Sequence, residues 1–212
     1  MQRTLSGCDV SDATPAMFLP ARPGSAGRTP LEDPMTTLAT AHHVATSVSI
    51  AALILRITLG GMILAHGMNK LFGGGRIAGT AGWFDSIGMK PGKLNAWAAA
   101  ITEVGCGVFL IVGLLTPLAC AGLVAIMIVA IVTVHLKNGF FVFNAGQGIE
   151  YCLVVALAAV ALGGLGGGRY SLDYVTGIWT YKAWIGFVVA GGLGVGAAGL
   201  QLLALYRPPP KG

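Results

Sequence analysis

The side chains of this chain that could do chemistry are a few ionisable groups set inside long apolar stretches. They are Arg56, His66, Lys70, Glu103, His135 and Glu150. An ionisable side chain in a membrane-spanning helix costs about 2.5–3.5 kcal/mol on insertion scales, so such residues normally face the bundle interior and find partners there. Histidine, lysine and carboxylate groups at one depth can bind an anion, hold the carbonyl of a quinone or move protons.

The composition indicates that these groups belong to a membrane protein. Of the 212 residues, 55% are hydrophobic and 10% are charged, and the mean hydropathy is +0.77. A soluble domain carries about 25% charged residues because its surface faces water. The net charge of +5 comes from basic residues scattered between apolar runs. This distribution excludes nucleic acid as a partner and favours contact with lipid headgroups.

Five apolar stretches approach or reach the roughly 20 residues that a spanning helix needs. They cover residues 44–64, 94–115, 117–136, 148–165 and 183–206. The sequence therefore predicts an all-α, polytopic membrane protein that crosses the bilayer several times. We assign residues 44–176 to a four-helix transmembrane bundle, and residues 177–212 to a fifth C-terminal transmembrane helix with a short tail.

The residues before the first apolar stretch have a different composition. Five prolines occur among the first 34 residues, and no apolar run accompanies them. Such a segment cannot bury enough apolar surface to order itself, so residues 1–43 are predicted to be a disordered tail. Met35 opens the smoother sequence and is predicted to be the natural start, and a regulatory tail is the alternative.

The connections between the predicted helices are unequal in length. Helices two and three are separated by little more than Leu115, Thr116 and Pro117, which predicts a tight antiparallel hairpin. Residues 71–93 form a long loop with the aromatic pair Trp83 and Phe84. Long loops with aromatic residues are often lids or interfacial segments, so we expect an amphipathic or re-entrant piece at residues 78–87.

Counting residues along each helix predicts the depths of the ionisable groups. We call the side where the first helix begins side A, and the opposite side B. At about 1.5 Å per residue, Arg56 and Glu103 both fall near the midplane, which predicts an ion pair between them. His66, Lys70, His135 and Glu150 fall near side B, where Glu150 is expected to contact Lys70 or His66.

These depths predict an intramembrane polar pocket that opens to side B beneath the loop of residues 71–93. The alternative is that the charges only hold the bundle together, as polar residues in membranes can. No complete haem, flavin or metal-binding motif is present. No metal site and no catalytic residue are therefore assigned, and a quinone is the cofactor candidate.

The order of several short motifs resembles the DoxX family of small bacterial membrane proteins. The resemblance covers residues 49–175 and includes the intramembrane charges themselves. Its motifs are Leu55-Arg56, Ala65-His66-Gly67, Asn69-Lys70-Leu71-Phe72-Gly73, Trp83-Phe84, Ile87-Gly88-Met89, Thr102-Glu103-Val104, Gly113-Leu114-Leu115-Thr116-Pro117, Val134-His135, Gly139-Phe140-Phe141, Glu150-Tyr151 and Gly166-Gly167-Gly168-Arg169-Tyr170-Ser171-Leu172-Asp173.

The resemblance implies a four-helix bundle in the bacterial cytoplasmic (inner) membrane that takes part in redox processes. One family member is a subunit of a thiosulfate:quinone oxidoreductase, and another resembles a membrane anchor for soluble redox enzymes. The resemblance also implies that Arg169, Ser171 and Asp173 form a closing motif on side A. Helix capping and interfacial anchoring are the roles we expect for these three residues.

The fifth helix lies outside this resemblance. It carries small residues four apart, at Ala190, Gly194 and Ala198 and at Gly192 and Gly196. This spacing suits close helix packing, either on the bundle itself or against another subunit, including a second copy of the chain.

Taken together, the sequence predicts a DoxX-like membrane protein in a redox system, as a quinone- or sulfur-compound-linked oxidoreductase subunit. Two alternatives stay open. One is a non-catalytic membrane scaffold for soluble redox or detoxification enzymes, and the other is a small-molecule or proton carrier. The expected partners are the lipid bilayer, a quinone, other redox proteins and a homo-oligomer.

Overall fold

The architecture is a helix bundle, seen in a computed structural model that describes residues 34–178 and 182–208. Within these ranges the regular elements are all helical. They are α1 (Pro34–Phe72), α2 (Arg76–Ser86), α3 (Gly92–Val112), α4 (Thr116–Asn138), α5 (Glu150–Leu165), α6 (Leu172–Thr176) and α7 (Ala183–Leu205).

Four helices in the described part of the chain are long and apolar enough to cross a membrane. They are α3, α4, α7 and the stretch Ala41–Phe72 of α1. Helix α5 is also apolar but has only 16 residues, about 24 Å at 1.5 Å per residue. The prediction of an all-α polytopic membrane protein is confirmed, and the additional C-terminal helix is present as α7.

Helix α1 begins at Pro34, earlier than the predicted start near residue 44. A proline is tolerated there because the first turn of a helix needs no bonded N–H. Residues 34–43 are therefore helical rather than part of a disordered tail. The rest of the predicted tail, residues 1–33, lies outside the described residues. The chain divides into residues 1–41 and 42–212, and all that follows concerns the second unit.

Glycines set the register between α1 and α3. A Cβ on Gly60 would stand 2.9 Å from the Gly107 carbonyl oxygen, and one on Gly67 would stand 2.8 Å from the Val104 side chain. Real Cβ atoms do not approach other heavy atoms so closely, so only glycine lets the two helices come together here. Small residues play this part generally in membrane helix packing.

The predicted hairpin between the second and third spanning helices is present as the turn between α3 and α4. Gly113 ends α3 with a φ of 70° and Leu115 precedes α4 with a φ of 49°. Two residues in left-handed conformations reverse the chain within a very short connection. Toward its other end, α4 is π-helical over Ile131–His135, a feature that is frequent at functional sites.

Helix α7 packs on its own bundle through one of its two small-residue stripes. Ala190, Gly194 and Ala198 are buried, and a Cβ on Gly194 would stand 2.7 Å from Val124 of α4. Gly192 and Gly196 of the other stripe are exposed. Of the two docking modes left open by the sequence, the structure shows packing on the bundle, and a homo-oligomer stays a prediction.

The end of α7 is tied to the loop between α2 and α3. The Lys90 backbone N–H donates to the Leu205 carbonyl at 2.8 Å, and the Arg207 N–H donates to the Gly88 carbonyl at 2.7 Å. These bonds connect chain segments that are far apart in sequence. Helix α7 therefore helps to hold the loop that carries α2.

Replacing Gly88 by alanine is expected to loosen this connection. Gly88 has a φ of +89°, and a Cβ there would collide with the Arg207 carbonyl oxygen. The left-handed backbone alone costs about 1–2 kcal/mol for an L-residue, so the melting temperature should fall. Thermal unfolding followed by circular dichroism in detergent measures it. The control is Gly196→Ala, where a Cβ meets nothing within 4 Å; an equal change in both variants would contradict the prediction.

Candidate functional site

A cavity of about 450 Å³ lies among the helices, and we call it the central cavity. Its walls are mostly apolar and come from α1, α2, α3, α4, α5 and α7. The polar side chains that line it include His66, Lys70, Thr102, Glu103, His135 and Gln201. Apolar walls with a few convergent polar groups are typical of small-molecule sites.

Helix α2 contributes the aromatic pair Trp83 and Phe84 to the cavity wall. The two rings contact each other with centroids 5.1 Å apart, and Phe84 is buried against α3 while Trp83 is half-exposed. At residues 78–87, where an amphipathic or re-entrant piece is predicted, the structure has helix α2 (Arg76–Ser86).

The strongest electrostatic contact in the cavity joins Lys70 of α1 to Glu103 of α3. The Lys70 ammonium donates to both carboxylate oxygens of Glu103 at 2.7 Å, and the two side chains are 19% and 5% exposed. Gly67 lies one turn before Lys70, and a Cβ there would stand 3.0 Å from the Cβ of Glu103. The close helix approach at Gly67 thus brings the two charges within reach.

The predicted ion pair between Arg56 and Glu103 is wrong. The glycine contacts between α1 and α3 place Glu103 level with Lys70, roughly four turns along α1 from Arg56. The prediction counted depth from the ends of the apolar stretches, and those ends do not mark equal depths in the two helices.

Two histidines complete the side-B part of the cavity. His66 lies one turn before Lys70 on α1 and is exposed, and it lines the cavity. His135 ends the π-helical segment of α4, and its Nδ1 lies 2.9 Å from the Gln147 carbonyl oxygen. That carbonyl can only accept, so Nδ1 carries the proton and a neutral ring keeps Nε2 as an acceptor. Among residues 34–178 and 182–208, no three His, Cys, Asp or Glu side chains gather as metal ligands.

Glu150 lies apart from the lining of the central cavity. Its Oε2 accepts from the Val142 N–H at 3.0 Å, in the connection between α4 and α5. The carboxylate therefore orders this connection at the first turn of α5. The predicted contact of Glu150 with Lys70 or His66 is wrong: Lys70 pairs with Glu103, and the Glu150 carboxylate accepts from the Val142 N–H instead.

Arg56 belongs to a different cluster, at the side-A end of the bundle. Its side chain is fully buried, donates to the Tyr170 carbonyl at 2.6 Å and lies against Gly113. Within the described residues, its Nε and Nη1 have no hydrogen-bond partner. Asp173 is the negative charge that acts on it. Arg56 thus connects α1 to the segment after α5 and does not line the cavity.

The closing motif works mainly through helix caps. Asp173 accepts from the N–H groups of Leu115 and Thr116 at 2.7 and 2.9 Å and from the Thr116 hydroxyl at 2.6 Å. Ser171 accepts from the Tyr174 N–H and so caps α6. Asp173 therefore caps α4 from a distant segment, which satisfies N–H groups that a helix start leaves unpaired.

Four of the six predicted pocket residues line one cavity, and two do not. Sequence reasoning missed Gln201, which lines the cavity from α7, and Asn95 of α3, whose side chain it contacts. Both are polar residues inside apolar helices. That signal is present in the sequence, but a search restricted to ionisable residues does not find it.

Comparison with known proteins identifies the family of the chain. The family model for DoxX matches residues 51–136. A Bacillus subtilis (strain 168) protein named "Putative oxidoreductase CatD" is 33% identical over 118 residues, which cover 56% of this chain and 82% of that protein. No solved structure matches the chain. The matched segment carries Arg56, His66, Lys70, Glu103 and His135, and the chain belongs to the DoxX family.

Proposed function

We propose that the central cavity binds a quinone and that the protein is the quinone-linked membrane subunit of a redox system. The proposal rests on the lining of the cavity, which is mostly apolar. Part of this wall is formed by His66, Lys70, Glu103 and His135. An apolar ring with polar carbonyl atoms is the kind of ligand that matches such a lining.

The polar groups have complementary tasks in this proposal. Lys70 is held by both oxygens of Glu103, so the pair can offer a hydrogen bond without leaving a buried charge alone. The ring nitrogens of the two histidines can donate or accept a hydrogen bond at the ligand. Reduction of a quinone to a quinol takes up two electrons and two protons. The electrons come from a partner oxidoreductase, and the protons pass through these side chains.

Membership in the DoxX family and the name of the Bacillus subtilis relative support a redox setting. The relative's name calls it an oxidoreductase and gives no substrate. The choice of a quinone over a sulfur compound rests on the apolar share of the wall, because a small sulfur anion needs more polar contacts than this cavity offers.

Binding can be tested with the full chain in lipid nanodiscs. Trp83 lines the cavity, so 1,4-naphthoquinone should quench tryptophan fluorescence with a saturable component that Trp83→Phe removes. His66→Ala should weaken binding about fivefold, the effect of losing one hydrogen bond. Glu150→Gln is the control because Glu150 does not line the cavity, and it should leave binding unchanged. Absence of saturable quenching in the unmodified protein would overturn the proposal.

A further inference from the structure

We propose that Gln201 binds the second carbonyl of the quinone. Helix α7, which lies outside the matched family segment, would then select ligands with two opposed polar atoms. This inference rests on the proposed function of the central cavity. Gln201 lies on α7 and lines the cavity beside Ala197. The family match ends at residue 136, so this part of the wall belongs to the additional helix.

The amide of Gln201 is oriented by a short chain of hydrogen bonds. Asn95 is fully buried, and its Nδ2 donates to the Pro91 carbonyl at 3.0 Å. A carbonyl can only accept, so the other atom of the Asn95 amide must be the oxygen. That oxygen accepts from Gln201 Nε2 at 3.1 Å. The amide of Gln201 is thereby assigned without ambiguity.

This orientation leaves Gln201 with both kinds of hydrogen-bonding group. A primary amide nitrogen has two N–H groups, and Asn95 takes one of them. The second N–H can donate to a quinone carbonyl, and Oε1 can accept from a quinol hydroxyl. One side chain can therefore serve the oxidised and the reduced ligand.

The distance between the two polar parts of the cavity favours a ligand with polar atoms at opposite edges. On α3, Asn95 and Glu103 are separated by about 12 Å along the helix axis. Ala98, Ala99 and Thr102 line the cavity between them. Small side chains leave room for a ring on this stretch of wall. A single polar atom would reach one end only, whereas a ring with opposed carbonyls can reach both.

The C-terminal tie holds Gln201 in position relative to α3. Gln201 lies one turn before Leu205, whose carbonyl accepts from the Lys90 N–H at 2.8 Å. Asn95 is on the first turns of α3, just beyond Lys90. The same end of α7 therefore carries the ligand group and the bonds that fix it, which gives Gln201 the rigidity that selective binding needs.

The test compares two ligands of the same bicyclic shape in nanodiscs that contain the full chain. 1,4-Naphthoquinone has two opposed carbonyls and is followed by tryptophan quenching; 1-tetralone has one carbonyl and is measured as its competitor. Gln201→Leu should weaken naphthoquinone binding about fivefold. Tetralone should change by less than about twofold, because its only carbonyl prefers the charge-assisted bonds at Lys70 and His66. Leu203→Ala, on the exposed face of α7, is the matched control and should change neither ligand.

Asn95 is a positioning residue in this scheme, and a double variant tests that role. Asn95→Leu removes the acceptor that orients Gln201, so it should reproduce the selective loss. Asn95→Leu combined with Gln201→Leu should weaken naphthoquinone binding no further than Gln201→Leu alone, since both remove one contact. Thermal unfolding of each variant identifies any that fail to fold. If Gln201→Leu fails to fold, Gln201→Glu replaces it, because glutamate keeps the length of the side chain and a polar end. Gln201→Glu should also weaken naphthoquinone binding selectively.

The outcomes separate this inference from the proposed function. Saturable naphthoquinone binding that Gln201→Leu leaves unchanged would overturn the role of Gln201 and leave the cavity function standing. Equal weakening of both ligands would also overturn it, because Gln201 would then shape the wall rather than bind the second carbonyl. If the unmodified protein binds neither ligand, the proposed function falls and this inference falls with it.

Discussion

Replacing Lys70 by methionine is expected to lower the free energy of unfolding by about 3 kcal/mol, the low end of the cost of breaking a buried ion pair. The variant leaves the carboxylate of Glu103, whose side chain is 5% exposed, without its cation. The low end applies because the Lys70 side chain is still 19% exposed, so water can reach the site. Unfolding by titration with sodium dodecyl sulfate in mixed micelles measures the change.

A double-mutant cycle separates the interaction energy between Lys70 and Glu103 from the contribution of each side chain alone. Lys70→Met with Glu103→Leu removes both charges together, and buried ion pairs replaced by apolar side chains are often neutral in stability. The double variant should therefore be more stable than the sum of the single losses by about 2 kcal/mol. Lys137→Met is the matched control: Lys137 is exposed and its replacement should cost less than about 0.5 kcal/mol. Additive losses would contradict the pairing.

The length of each apolar stretch predicted the helices well, because a spanning helix forms its backbone hydrogen bonds within its own segment and needs no partner elsewhere in the chain. The tight hairpin at Leu115, an ordered piece within the long loop of residues 71–93 and the added helix α7 could all be predicted from local residues. The start of α1 could not, because residues 34–43 are helical without being strongly apolar. Helix ends are set by local capping and propensity, which differ from the limits of an apolar stretch.

Pairing between helices was much harder to predict than the helices themselves. The register of α1 against α3 depends on Gly60 and Gly67, where the helices touch. A shift of this register moves Glu103 from Arg56 to Lys70, and counting residues per helix cannot detect it. Asn95 and Gln201 meet across 106 positions of sequence. No local pattern connects two such residues, so only the packing of α7 on the bundle brings them together.

Replacing Asp173 by alanine is expected to destabilise the protein by about 3–5 kcal/mol, since hydrogen bonds to a charged group contribute about 1.5–3 kcal/mol each and are not fully additive. The variant removes the acceptor of three bonds from Leu115 and Thr116, and Asp173 itself is 5% exposed. It also leaves the fully buried Arg56 without its opposing charge. The same detergent unfolding titration provides the measurement.

Asp85 offers a matched control for the Asp173 variant, because it also caps a helix start from outside. Its Oδ1 accepts from the Gly92 N–H at 2.8 Å, but Asp85 is exposed. Asp85→Ala should therefore cost about 1 kcal/mol, the usual effect of losing a cap. Adding Arg56→Met to the Asp173 variant should recover about 2 kcal/mol, because it removes a buried charge that has lost its partner. Equal losses at Asp85 and Asp173, or no recovery with Arg56→Met, would show that burial and charge at the side-A cluster do not stabilise the bundle as argued.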